Sequence, residues 1–251
     1  MAETGAYGKL LGPQGPLARV IDGFESRREQ QRMADWVGET LESRGMLAIE
    51  AGTGTGKTFA YLVPALLSGR QVIISTGTRT LQDQLFHRDL PTVSKALGRP
   101  VRVALLKGRA NYLCRHRLDL AESMPALPGM ESPNARTLAR IRRWARHTAA
   151  GDLSEIESLR DTDPAWAAVT STRENCLGTE CSEFTRCHVV AARREAQAAD
   201  IVVVNHHLFF ADVMLRDEGV SELLPNCNTI ILDEAHQLPD TATPDANPLV
   251  S

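Results

Sequence analysis

The run from Met46 to Val63 constrains this chain more than any other part of it. Met46-Leu47-Ala48-Ile49-Glu50 leads into Ala51-Gly52-Thr53-Gly54-Thr55-Gly56-Lys57-Thr58, and that leads into the helix-like Phe59-Ala60-Tyr61-Leu62-Val63. The order predicts strand, glycine turn, helix. Glycines at alternate positions open backbone conformations closed to other residues, so that successive N–H groups converge on one centre. The positive end of the following helix favours an anion at that centre. Lys57 is then placed to reach the β- and γ-phosphates of a nucleotide, and the Thr58 hydroxyl to complete the shell of a bound Mg²⁺. The expected ligand is Mg-ATP or a relative, cradled by Gly52, Thr53, Gly54, Thr55, Gly56, Lys57 and Thr58. Ala51 stands where the simple GxxxxGK[ST] pattern has glycine, so the flanking strand and helix carry the assignment. The alternative is a glycine turn without a ligand.

Far downstream, Asn228-Thr229-Ile230-Ile231-Leu232 runs into Asp233-Glu234-Ala235-His236. A buried strand ending on two acids suits a phosphate-handling site: Asp233 to hold the Mg²⁺, Glu234 to orient or deprotonate an attacking water, His236 to couple the site to neighbouring segments. In isolation the same four residues could be an ordinary helix start with acids near its positive end.

Three further apolar runs read as strands: Gln71-Val72-Ile73-Ile74-Ser75, Val101-Arg102-Val103-Ala104-Leu105-Leu106 and Asp200-Ile201-Val202-Val203-Val204. Near-continuous apolar strands alternating with helical patterns predict an α/β fold with a mostly parallel sheet covered on both faces. Ligands then bind at the carboxyl ends of the strands. Ahead of the glycine turn, a helix is expected from about Phe24, with Met33, Trp36, Val37 and Leu41 on its apolar face towards the sheet. Arg27 and Gln30, one turn apart at its start, are candidates to meet an adenine, whose edge a Gln amide can bond as donor and acceptor; otherwise they form a solvated helix start.

Between Gly108 and about Ala192 the β-rich runs vanish and cysteines appear. Of the five cysteines, Cys227 is assigned to packing; Cys114, Cys176, Cys181 and Cys187 could close one site. The gaps of four and five residues fit zinc loosely, since structural zinc sites pair cysteines as C-x₂₋₄-C. An iron-sulfur cluster is larger and tolerates wider spacing, and unliganded thiols remain the third reading. A disulfide framework is not expected from an odd count without a secretory signal. With a net charge of −3, contact with nucleic acid has to come from local patches. Lys107, Arg109, Arg140, Arg142, Arg143 and Arg146 are the candidate patch, or simply a solvated face. No apolar run is long enough to span a membrane, and a cytoplasmic location is expected.

Taken together, these motifs resemble the DinG/XPD family of superfamily 2 iron-sulfur DNA helicases. The likeness rests on Phe24-Glu25-Ser26-Arg27-Arg28-Glu29-Gln30, the glycine turn, Leu106-Lys107-Gly108-Arg109-Ala110-Asn111-Tyr112-Leu113-Cys114, the trio Cys176, Cys181 and Cys187, Val204-Asn205-His206-His207-Leu208, and Asp233-Glu234-Ala235-His236. The resemblance covers roughly residues 20 to 240. It implies an ATP-driven motor moving 5′ to 3′ on single-stranded or forked DNA in repair, with possible replication or repair proteins as partners. The implied fold is a P-loop NTPase (RecA-like) lobe over 21–109 and 193–240, interrupted at 110–192 by an insert in which Cys114, Cys176, Cys181 and Cys187 ligate a [4Fe-4S] cluster. Arg27 and Gln30 become the nucleotide-recognition pair, and Thr76 to Gln84, with Arg79, the segment facing the DNA backbone. Residues 1–20 are expected to be a loosely held leader and 241–251 a disordered tail. The chain is expected to lack a second motor lobe and so to be a truncated helicase unable to unwind. The alternatives are a non-catalytic nucleotide- and single-strand-binding module and a metal or redox sensor.

Overall fold

The computed structural model describes residues 4–52, 54–123, 135–157, 159, 163–217 and 223–242. It divides into two compact units, one formed by 1–105 with 196–251 and the other by 106–195.

The first unit is built on four parallel strands, β1 (Val72–Thr76), β2 (Val103–Leu105), β3 (Ile201–Asn205) and β4 (Thr229–Leu232), in the order β2-β3-β1-β4. Val72 is level with Ile201 on one side and Thr229 on the other. Every residue of β1 is buried, as are the first four of β3. This is why these strands read as unbroken apolar runs instead of alternating ones. Because all strands run the same way, Thr76, Asn205 and Asp233 emerge at one edge.

Helices α1 (Ala6–Leu10), α2 (Pro16–Val20), α3 (Arg28–Ser43), α4 (Lys57–Leu67), α5 (Arg79–Gln84) and α6 (Leu90–Leu97) belong to the same unit, with a π-helical turn at Leu85–Asp89 joining the last two. The core gathers Leu11, Leu17, Ala34, Leu62, Val63, Ile74, Leu90 and Val203. Three expectations are corrected here. First, residues 6–20 are not a loose leader: they form two short helices, and Leu11 and Leu17 are fully buried. Apolar side chains at the foot of a short helix anchor it despite the Gly and Pro around it. Second, the buried positions of α3 are Gln30, Ala34 and Gly38; Met33 and Val37 pack partly buried against the core as expected, whereas Trp36 is 43% exposed under the Arg32 guanidinium. Gly38 is needed there because a Cβ would sit 2.2 Å from the Tyr7 ring. Third, 46–50 is not a strand: Met46 is 99% exposed, and no ladder takes up its backbone. An apolar run becomes a strand only where a neighbour accepts its N–H and C=O groups, and β4 pairs with β1 alone. The tail lies outside the described residues from 243 on.

The second unit has no named strand among its described residues, only an isolated bridge between Tyr112 and Asp152. Helices α7 (Arg115–Ser123), α8 (Ala135–Trp144), α9 (Ala165–Val169) and α10 (His188–Ala198, which runs on past the boundary) supply its framework. Leu113, Leu118, Leu138, Ile141, Leu153 and Val169 form a separate core. α8 is strongly two-faced: Leu138 and Ile141 point inward while Arg140 and Arg143 are exposed.

Candidate nucleotide site and cysteine cluster

In the glycine turn, Gly54 and Gly56 adopt left-handed φ values of 77° and 80°, which glycine takes at little cost. A Cβ on Gly56 would in addition lie 2.1 Å from the Gln30 amide nitrogen. That amide donates to the Gly56 carbonyl at 3.0 Å, and the Arg27 guanidinium donates to the carbonyl of Gly54. The residues expected to meet an adenine thus hold the turn itself. The Oε1 atom of Gln30 is buried without a partner, leaving an acceptor for a ligand's N–H. Thr53 lies outside the described residues; Thr55 closes a local turn onto the Gly52 carbonyl at 2.8 Å.

α4 begins at Lys57 directly after Gly56, with no side chain capping its first amides. Such uncapped N–H groups are the orphan donors that bind phosphate. The Lys57 ammonium lies 3.0 Å from the Ala51 carbonyl and 3.7 Å from Glu234 Oε1. It therefore spans the turn and faces the acid that follows β4. Asp233 sits one residue beyond β4, its N–H donating to Ser75 of β1 at 2.8 Å. Its Oδ1 accepts from the Glu234 N–H at 3.0 Å, and its Oδ2 from the Tyr61 hydroxyl at 2.9 Å. Glu234 has a left-handed φ of 56°, strained for a residue with a side chain. His236 is largely exposed, 3.4 Å from Glu234 Oε2. The structure therefore brings Lys57, Asp233, Glu234 and His236 to one edge of the sheet, although the sequence separates them by about 175 residues.

Two supports of this site carried no role in the sequence reading. Tyr61 is buried on α4, and burial, followed by the charge of Asp233, pushes its phenol well above the usual range. His206 is buried at the end of β3, its Nδ1 2.7 Å from the Ser75 hydroxyl. Burial lowers its pKa, partly offset by the Asp233 carbonyl and carboxylate. Tyr61 was findable: it lies three residues after Thr58, on the same helical face. Ser75, inside an apolar strand, carried no signal.

In the second unit, Cys114 precedes α7 and Cys187 precedes α10, each accepting a first-turn amide through its carbonyl, from Leu118 and from Ala191, both at 2.9 Å. Cys181 and Cys187 each end a 3₁₀ turn, with nearly equal φ/ψ of −72°/127° and −73°/120°. Cys176 is exposed; all four are free thiols. Burial raises the Cys114 pKa, the Arg117 backbone N–H opposes this, and the charges of Cys181, Cys187 and Cys176 add to it. The other three thiols thus lie within electrostatic reach of Cys114. Among the described residues, however, no three His, Cys, Asp or Glu side chains close on a single metal ion. Cys227 is a half-buried thiol donating to the Thr229 carbonyl at 3.4 Å.

The expected basic patch is corrected in two places. Lys107 is buried and ion-paired with Asp152 at 2.7 Å. Arg142 is held by Asp119 and Glu122 at 2.5 and 2.6 Å, tying α8 to α7. Arg143 and Arg146 are exposed, while Arg109 reaches the Thr172 carbonyl at 3.3 Å.

A glycine-rich turn entering a helix, with paired acids brought beside its lysine by a parallel sheet, defines a P-loop nucleotide-binding unit. Residues 28–125 match the model of the DEAD/DEAH box helicase family, and the chain carries a helicase domain of that kind. It is 52% identical over 234 residues to the ATP-dependent DNA helicase YoaA of Haemophilus influenzae, and 50% identical over 235 residues to that of Escherichia coli. Each alignment takes in 93% of this chain and 36% of the relative. The ATP-dependent helicase DinG of Mycobacterium tuberculosis is 36% identical over 247 residues, covering 90% of this chain and again 36% of the relative. The chain thus spans about a third of the length of these curated relatives. No helix among its described residues is long and apolar enough to cross a membrane.

Proposed function

We propose that the chain is the ATP-binding lobe of a cytoplasmic DNA helicase that moves 5′ to 3′ and serves repair. The observation that carries this is the meeting of Lys57 with Glu234, beside Asp233, at the mouth of an uncapped helix start. In this reading Lys57 leaves the Ala51 carbonyl for the β- and γ-phosphates, and the free α4 amides take the remaining oxygens. Thr58 and Asp233 would hold Mg²⁺, which neutralises developing phosphate charge when bound. A cage of several carboxylates is not needed, because Mg²⁺ keeps most of its waters. Glu234, fixed by Lys57 and its own strained backbone, is the group to orient or deprotonate water. On the same edge, Thr78, Arg79 and Thr80 are exposed after β1. The Thr78 hydroxyl caps α5 through the Leu81 amide at 3.2 Å, so Arg79 and Thr80 are left to meet DNA phosphates.

Cys114, Cys176, Cys181 and Cys187 would hold a [4Fe-4S] cluster. The support is the residue type and the charges of Cys176, Cys181 and Cys187 acting together on Cys114, four thiolates being enough to ligate one cluster. Lys57→Ala tests the nucleotide reading. Its affinity for a fluorescent ATP analogue should fall by about 100-fold; unchanged affinity would remove the phosphate assignment. Iron and sulfide analysis of anaerobically purified protein tests the cluster, and one zinc per chain without iron would replace it.

A further inference from the structure

The Tyr61 phenol has a single proton and donates it to Asp233 Oδ2 at 2.9 Å. That proton is committed to the carboxylate, so the bond runs one way, from the Tyr61 hydroxyl to Asp233. Tyr61 and the Glu234 amide take one lone pair on each Asp233 oxygen. This fixes the carboxylate plane and leaves its remaining lone pairs open.

We propose that Tyr61 is a positioning residue for the divalent cation, orienting Asp233 so that its carboxylate presents open oxygen lone pairs to the ion. The proposal rests on the nucleotide reading above. Tyr61 is 3% exposed, so its ring is core while its oxygen serves the site. Tyr61→Phe separates the two, because it keeps the ring and removes one oxygen.

The test is titration of the full chain with a fluorescent adenine nucleotide, in Mg²⁺ and in EDTA, for wild type and Tyr61→Phe. The ratio of the two affinities measures the cation's contribution. That ratio should be about 5- to 10-fold smaller in Tyr61→Phe, the size of one ordinary hydrogen bond, with the EDTA affinity within about twofold of wild type. A ratio equal to that of wild type overturns the proposal. So does an equal loss of affinity in Mg²⁺ and EDTA, since that marks ring packing alone. If wild type binds no nucleotide, the site reading falls instead; if it binds without any Mg²⁺ enhancement, the Thr58 and Asp233 assignment falls and takes this proposal with it.

Discussion

Asp200 and Arg102 pair where β2 and β3 begin, in the sheet unit; Lys107 and Asp152 pair in the cysteine unit. The chemistry is alike and the surroundings are opposite. The first pair is open to water, with side chains 73% and 44% exposed for Arg102 and Asp200, while the second is 3% and 14% exposed for Lys107 and Asp152. The sheet unit has ladders and a broad apolar core, so its ion pair only trims strand ends. Among its described residues the cysteine unit has one bridge, short helices and a small core, and the Lys107–Asp152 pair lies at that bridge, since Asp152 is itself a bridge residue. Where regular backbone pairing is scarce, single side-chain contacts carry the architecture.

The largest effect should come from Lys107→Met. Removing one partner of a buried pair leaves an uncompensated charge and typically costs about 3–5 kcal/mol. Hydrogen exchange should accelerate at Leu113 and Leu118 in the cysteine unit while Val72 to Thr76 keep their protection. Acceleration of equal size in both units would mean that the pair serves the whole chain and the contrast is mistaken. Lys107→Met with Asp152→Leu should recover most of the loss, because the orphaned carboxylate is then gone as well.

The same contrast explains what could be read before the fold was known. The sheet unit was legible because its strands are long buried runs and its glycine turn has a fixed chemistry; Lys57, Asp233 and Glu234 follow from local pattern. Tyr61 and His206 were not legible as supports, since their roles depend on which side chain meets them across the sheet edge. Met46–Glu50 misled for the opposite reason, as hydrophobicity alone cannot supply a pairing partner. In the cysteine unit the candidate ligand set rests on residue type alone, and among the described residues no three His, Cys, Asp or Glu side chains close on one metal ion. The fates of Lys107 and Arg142 were not legible, because a positive charge looks the same in sequence whether it is solvated or paired. Thr53 and residues 243–251 lie outside the described residues.

A smaller effect concerns DNA. With Lys107 and Arg142 occupied, Arg143 and Arg146 are among the exposed charges on and just after α8, and Arg79 is the exposed charge of the sheet unit's loop. Replacing Arg143 and Arg146 by Ala should flatten the dependence of single-strand affinity on salt by about 1.4, near 0.7 for each lost phosphate contact. Arg79→Ala should flatten it by about 0.7. Parallel salt plots for wild type and the α8 variant would leave contact with DNA to the sheet unit alone. Arg142→Ala is expected to behave differently, loosening α8 from α7 without changing the slope.

The smallest effect belongs to the exposed pair. Hydrogen bonds from the Arg102 side chain, and then from its backbone N–H, hold the Asp200 carboxyl below its ordinary range. Because the folded pKa is depressed, the stabilisation is fully present above the unfolded value, about 3.9, and is lost as pH falls through the folded one. Solvent screening keeps it small, so Asp200→Asn should cost at most about 1 kcal/mol near pH 7. That difference from wild type should shrink below about pH 4, whereas the cost of Lys107→Met at neutral pH should exceed it several-fold. Chemical denaturation at pH 7 and pH 3 separates the two. If Asp200→Asn costs as much as Lys107→Met, burial is not what distinguishes the pairs, and the strand entry between β2 and β3 is as dependent on one ion pair as the bridge at Asp152.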